Sequence, residues 1–326
     1  MSNSPKVLVT GANGLLATNV IAELLTEGYR VKGLIRNPSS FRYGQHPHLE
    51  LVQGDITNLQ DIEAAMQGCN SVVHVAAITA QHLRRYTDYQ DVNVTATSNL
   101  IKAAIRSNAT KFVYVSTANT FGYGTKEAPG CEDLPISSPF DKSLYALSKL
   151  EGQSVVLSYQ SKIDVVVVNP TFMLGPYDSK PSSGRIVLMG QRKWFLFYPP
   201  GGKNFIHVQD AARGVVKALE KGKNGEAYLL ANENLSYKEF FQKMANRSGY
   251  HPLLIMTPRP LLLIAGIVGS ILRILGVKTE VSLTNMRILC INNYYSNEKA
   301  VKSFGLSMQP IEKAIADCLD WFSTRR

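Results

Sequence analysis

Short runs of continuously apolar residues recur through the first half of this 326-residue chain, each followed by a stretch of helical pattern, and that alternation leaves few folds open. The runs lie at 6–10 (KVLVT), 30–35 (RVKGLI), 49–53 (LELVQ), 71–75 (SVVHV), 111–115 (KFVYV) and 164–169 (DVVVVN). They lack the in–out alternation of a half-solvated strand, so they read as strands covered on both faces. Helix-compatible patterns fill 15–27, 59–66, 88–107 and 144–160. Alternation of this kind predicts an α/β fold: a doubly wound parallel sheet joined by right-handed crossovers.

The first strand runs directly into Thr10-Gly11-Ala12-Asn13-Gly14-Leu15-Leu16-Ala17, which opens the first helix. Gly11 permits a tight turn, Gly14 lets backbone approach a ligand, and small Ala17 lets helix and strand pack closely. The helix N-terminus then faces an anion. At the head of a βαβ unit this points to the pyrophosphate of a dinucleotide, with Gly11, Asn13, Gly14, Leu15 and Leu16 around it. The second strand ends Leu34-Ile35-Arg36-Asn37, without the carboxylate that binds a ribose 2′-hydroxyl. Arg36 there suits a 2′-phosphate, so NADP(H) is expected, with NAD(H) as the alternative. Asp55, at the end of the third strand, is placed either to accept from the adenine amino group or to hold the turn before the next helix.

Tyr145-Ala-Leu-Ser-Lys149 carries the sharpest chemical signal. The i,i+4 spacing puts both side chains on one helical face. A free tyrosine titrates near 10 and is a poor acid–base group at neutral pH; an adjacent ammonium, with the positive nicotinamide of oxidised cofactor, would lower it. Tyr295-Ser-Asn-Glu-Lys299 repeats the pattern near the C-terminus, where nothing else suggests a site. Tyr145, by contrast, opens a helix that follows the strand at 111–115, whose carboxyl end carries Ser116-Thr117-Ala118. A hydroxyl there can donate to a substrate carbonyl.

Composition bounds the remaining possibilities. With 45% hydrophobic and 18% charged residues, a chain of this length buries a core without disulfides or metals. Cys69, Cys131, Cys290 and Cys318 show no paired or ligand spacing, and His46, His48, His74, His82, His207 and His251 have no convincing ligand partners, so no metal site is expected. No secretory pattern opens the chain, and a cytoplasmic setting is expected. The net charge of +10 is scattered, and no nucleic-acid-reading module is recognisable. The apolar stretch 260–277 is interrupted by Arg273 and is too short to span a bilayer of about 30 Å. It reads as a buried or pocket-covering helix, with weak attachment to a membrane surface as the alternative.

In its ordered motifs the chain resembles the extended short-chain dehydrogenases/reductases of the NAD-dependent epimerase/dehydratase superfamily. These are TGANGLLA at 10–17, GDI at 54–56, HVAA at 74–77, VNVTAT at 92–97, VYVSTANTFG at 113–122, YALSK at 145–149, NPTFMLGP at 169–176 and FIHVQDAA at 205–212. The resemblance implies a Rossmann-type dinucleotide domain over 1–174, with a return near 205–219. A smaller, mostly C-terminal substrate-binding region would take up 175–326. It implies that Thr117 is the catalytic hydroxyl (Ser116 its neighbouring alternative), Tyr145 the acid–base group and Lys149 its partner, also holding the nicotinamide ribose. Asp55, Ile56, Ala76, Ala77, Pro170 and Thr171 would line the cofactor. Asn93 matches a position on the central helix or is a packing residue, and a homodimer through the helices at 88–107 and 144–160 is implied.

Within the superfamily the short segment 176–205 looks like that of dihydroflavonol-4-reductase and 3β-hydroxysteroid dehydrogenase relatives, and of hopanoid-associated sugar epimerases. That shortness, with Trp194, Phe195, Leu196 and Phe197, suggests a partly apolar small-molecule substrate, unless these residues are core. Three activities are compatible: an NADP(H)-dependent ketone or aldehyde reductase, a nucleotide-sugar epimerase/dehydratase with retained cofactor, and a catalytically silent cofactor-binding protein.

Overall fold

The computed structural model describes residues 5–179, 181–191 and 193–324. Its first half builds strands β1 (Lys6–Thr10), β2 (Arg30–Ile35), β3 (Leu49–Gln53), β4 (Ser71–His74), β5 (Lys111–Val115) and β6 (Asp164–Pro170). Between them run α1 (Leu15–Thr26), α2 (Leu59–Met66), α3 (Thr87–Gln90), α4 (Ala96–Arg106) and α5 (Leu144–Leu157). The second half adds β7 (Phe172–Leu174), α6 (Arg185–Gly190), β8 (Phe195–Tyr198), β9 (Gly202–His207), α7 (Val208–Lys221), β10 (Ala227–Leu230), β11 (Glu233–Ser236), α8 (Tyr237–Ser248) and β12 (Leu253–Met256). Then follow α9 (Arg259–Ile274), α10 (Leu283–Ile288), β13 (Asn292–Asn293), α11 (Glu298–Phe304) and α12 (Ile311–Ser323).

Seven strands form one parallel sheet in the order β10-β6-β5-β4-β1-β2-β3. The chain winds outward in both directions from β1 and β4, so the switch point lies between them, where a ligand crevice opens beyond the strands' carboxyl ends. Successive strand residues face opposite sides, and the apolar runs fill both. Val7 and Val9 pack with Ile21, Leu24 and Val215 on one face; Leu8, Phe112 and Tyr114 pack with Leu100, Ile101 and Val156 on the other. A Cβ on Gly33 would stand 3.0 Å from Leu51 and 3.1 Å from Ala12, so the first βα turn sits tightly against β2.

A second, smaller core gathers Leu174, Val187, Phe205, Phe240, Met244, Ile311 and Ile315. Here Phe205 stacks on Phe240 at 4.4 Å. Helix α8 starts on a capping box in which Ser236 and Glu239 satisfy each other's backbone N–H groups. These elements, with the β11-β9-β13 sheet and β7 beside β9, stand over the carboxyl ends of β5 and β6.

Three local expectations come out differently. The helix expected over 88–107 is divided: α3 leads into a π-turn over Asp91–Thr95 before α4 begins. There the buried Asn93 turns inward, accepting from the Ile78 N–H at 2.8 Å and donating to the Ile78 carbonyl and the Ser148 hydroxyl. The stretch 260–277 is helical but not buried: Gly266 and Gly269 are covered, while its aliphatic side chains face solvent. Trp194, Phe195 and Phe197 are exposed as well, and only Leu196 joins the smaller core. Among the described residues no helix is long and apolar enough to cross a membrane.

Candidate active site

The crevice at the switch point is shaped by backbone first. Gly11 has φ +68°, and a Cβ there would lie 2.9 Å from the Ala76 Cα, so the turn after β1 and the end of β4 meet where only glycine fits. Thr10 fixes this meeting. Its hydroxyl accepts from the Val75 and Ala76 N–H groups at 3.1 Å each and pairs with His74 Nδ1 at 2.8 Å. With two N–H groups arriving at Thr10, its own proton goes to Nδ1, so His74 donates from Nε2 to Thr97 at 2.9 Å. The Thr97 hydroxyl in turn donates to the Asn93 carbonyl. His74 is wholly buried and held neutral, pulled down to about 3 by burial and then by the charge of Lys149. It is a strut between β1, β4 and the central helix.

The residues around this turn fit a dinucleotide. Among the described residues no side chain caps the N-terminus of α1, whose N-cap Gly14 is exposed, so its first N–H groups are open to an anion. Asn13 donates to the Ser40 hydroxyl at 2.7 Å, tying the glycine turn to the bend that follows Arg36. Arg36 is exposed and makes no ion pair among the described residues. Asp55 accepts from the Thr57 N–H at 2.8 Å and its hydroxyl at 2.7 Å, which holds its carboxyl below the usual range. Both bonds go to Oδ1 and hold the turn before α2. Ala76 and Ala77 remain partly exposed at the crevice wall, whereas Leu16 and Ile56 point into the core, so only their backbone can face a cofactor.

Across the crevice, Thr117 follows β5 and caps the turn Ala118–Thr120. Tyr145, one residue into α5, has its phenol near Thr117. Burial pushes that phenol up to about 12, against the lowering influence of the Thr117 hydroxyl. Lys149 lies one turn on, 2% exposed, with Nζ 4.2 Å from the centre of the Tyr114 ring. Burial draws the ammonium down to about 7. The lowering of Tyr145 anticipated from an adjacent ammonium is not among the influences on it in the protein alone. Among the described residues Lys149 has no carboxylate or hydroxyl partner, the condition of a group awaiting one. Ser116, also buried, has an unpartnered hydroxyl.

Asn169, a polar residue ending the all-valine run of β6, holds this strand end. Its amide nitrogen lies 3.1 Å from the Thr117 carbonyl and 3.0 Å from both Thr120 Oγ1 and Gln153 Oε1. Beyond it a cleft of about 130 Å³ is lined by Thr117, Ala118, Asn119, Pro170, Thr171, Phe172, Lys203, Asn204, Asn293 and Tyr295. Thr117, Pro170 and Thr171 thus share one wall, although the Thr171 hydroxyl is taken by Asn204 at 2.7 Å. Lys203 brings a cation whose value burial lowers to about 8; its Nζ sits 5.3 Å from the centre of the Phe172 ring. Tyr295 is buried in this wall, its hydroxyl without a partner among the described residues. Its companion Lys299 points elsewhere, paired with Glu226 at 2.7 Å. Lys203 and Asn293 were missed because no local pattern marks them, and Tyr295 because its pattern stood where nothing else suggested a site.

Comparison with known proteins follows the same lines. The model of the NAD dependent epimerase/dehydratase family matches residues 7–231. A Synechocystis protein provisionally named dihydroflavonol 4-reductase is 31% identical, over 96% of this chain and 93% of its own. Sterol demethylase protein B of Methylococcus capsulatus is 27% identical over 98% of both. The crystal structure of gox2253 superposes with a TM-score of 0.84 at 29% identity, covering 99% of each chain.

Proposed function

Because this chain belongs to the NAD dependent epimerase/dehydratase family, and so is an NAD(P)-dependent enzyme, we propose that it is an NADP(H)-dependent reductase of a ketone or aldehyde on a small, partly apolar substrate. The observation that carries the reading is Tyr145 brought beside Thr117, which lines a narrow cleft, with Lys149, buried and without an ion-pair partner among the described residues, one helical turn along the same helix.

The glycine turn and the open N-terminus of α1 would hold the pyrophosphate, Arg36 the 2′-phosphate, and Lys149 a ribose hydroxyl. The bound dinucleotide supplies the hydride. Thr117 donates a hydrogen bond to the substrate oxygen and polarises the carbonyl. Tyr145, protonated at neutral pH, delivers the proton that completes the alcohol. Lys149 stabilises the phenolate left behind, and Asn169 keeps the strand end in register for Thr117.

Lys203 is the observation that favours a second reading, since a cation in the cleft also suits the diphosphate of a nucleotide sugar. Against an epimerase stands the short segment at 176–205. On the reductase reading Lys203 meets a carboxylate or phosphate carried near the carbonyl. We read the chain as a cytoplasmic homodimer associating through its helices at 88–107 and 144–160, with residues 1–174 and a return near 205–219 serving the cofactor and the rest of 175–326 the substrate.

Label transfer separates the two. With NADPH deuterated at C4, a reductase places deuterium on the carbinol carbon of released product. An epimerase recycles a retained cofactor and leaves its product free of label from the added pool, which would overturn the reductase reading.

A further inference from the structure

Helix α9 inverts the usual amphipathic arrangement. It packs on the 281–286 segment through two glycines: a Cβ on Gly266 would meet the Leu283 Cα at 2.9 Å, and one on Gly269 would meet the Val281 side chain at 2.6 Å. Its bulky residues face away. Leu261, Ile264, Ile267, Val268, Ile271 and Ile274 are all between 50% and 70% exposed. The ribbon that leads into α9 does the same. Phe195 and Phe197 pair with Leu253 and Ile255 across parallel β8 and β12, and Phe195, Phe197 and Leu253 are each at least 60% exposed. Trp194, at the start of the ribbon, is 81% exposed. Apolar surface on this scale marks an interaction site.

Charge says what occupies it. The segments 179–209 and 240–297 contain eleven lysines and arginines and a single acid, Glu280, although Lys203 lines the cleft and Lys243 is paired with Glu233 and Glu312. Glu280 is neutralised by Arg185 at 3.0 Å. Arg259, Lys278 and Arg287 flank the apolar helix without an ion-pair partner among the described residues. A second copy seated face to face would set this basic rim against itself. A bilayer with anionic headgroups would complement both the rim and the apolar face. The helix's 16 residues extend about 24 Å, short of the roughly 30 Å hydrocarbon core, so it would lie in the interface. Arg273 moors α9 to the His82 and Leu83 carbonyls, in the loop beyond Ala76 and Ala77, and α10 leads on to Asn293 of the cleft.

We propose that α9 and the β8–β12 ribbon form an anionic-lipid docking face that holds the crevice against a membrane surface. The docking stands whether or not the enzyme is a reductase; only the inference that an apolar substrate arrives from the bilayer rests on that reading.

The test uses the full-length protein with vesicles of phosphatidylcholine alone, and of equal parts phosphatidylcholine and phosphatidylglycerol. Binding is read by flotation and by Trp194 emission in a Trp321→Phe background. The proposal expects at least tenfold stronger binding to the anionic vesicles, weakening with salt, with Trp194 emission moving to the blue. Ile267→Asp with Ile271→Asp should abolish binding while a wild-type melting profile shows the fold intact. If that variant does not fold, the Trp194 shift in the otherwise native sequence decides alone. Failure to bind anionic vesicles, equal binding to neutral ones, or binding unaffected by the folded double variant overturns it. So does a lipid-free dimer that the double variant dissociates, which would make a second copy the occupant.

Discussion

Replacing Lys149 by methionine should make the cofactor-free protein more stable while removing its activity. The ammonium is 2% exposed and rests on the Tyr114 ring, with no anion beside it among the described residues. Burial lowers its value from 10.5 to about 7. At about 1.36 kcal/mol per unit, the charge costs the folded state roughly 4 kcal/mol at pH 7 as an upper limit. Relaxation of the site and loss of the ring contact, worth about 1 kcal/mol, leave an expected gain near 2 kcal/mol, or roughly 3 °C in melting temperature. The sign with pH follows from the lowered folded value. Between pH 7 and 10.5 the unfolded chain binds the extra proton, so wild-type stability rises with pH. The variant's advantage is therefore largest at or below pH 7 and disappears as pH approaches 10.5. Thermal melts of both proteins across that range, with turnover in parallel, make the assay. A variant that is less stable at pH 7, or whose gain does not shrink with pH, would refute the reasoning.

Tyr145→Phe should lower kcat by about 10²–10⁴ while NADPH affinity changes little; turnover near the wild-type rate would remove Tyr145 as the proton donor. Arg36→Ala should weaken NADPH by about 1.5–3 kcal/mol and NADH hardly at all, the difference being a charge-assisted bond to the 2′-phosphate; equal losses in titrations of the two cofactors would cancel that assignment. Lys203→Met should raise KM for anionic substrates about tenfold, roughly 1.4 kcal/mol, and leave neutral ketones unaffected. An unchanged KM across both substrate sets would leave the cation without a role in recognition.

The parallel sheet was legible because five strands carry apolar runs that are buried in the core, while β3 at the sheet edge is only partly covered, and the glycine turn announced where a dinucleotide would sit. Tyr145 and Thr117 were legible too, since a helix start and a strand end were already placed. Tyr295 was not. It lies in the chain's last forty residues, and long-range contacts bring it beside Thr117: the pairing of β13 with β9, its own bridge to Gly130 and its bonds to Asn234. Lys203 was hidden for the same reason. Asn169 offered a signal that went unused: a buried amide ending Val-Val-Val-Val is costly unless it is bonded, and here it braces the Thr117 turn. Helix α9 misled because periodicity reports which face is apolar, never whether anything covers it. Its glycines proved to be the buried seam and its aliphatic residues the open face.

The most direct test of the central claim is to strip the purified protein of cofactor, add NADPH in large excess, and measure cofactor oxidised against alcohol formed over a panel of apolar ketones and oxo acids. The account predicts continuous oxidation with one NADPH consumed per product and little rate with NADH. Cofactor that resists stripping, or conversion of nucleotide sugars with no net NADPH consumed, would contradict it.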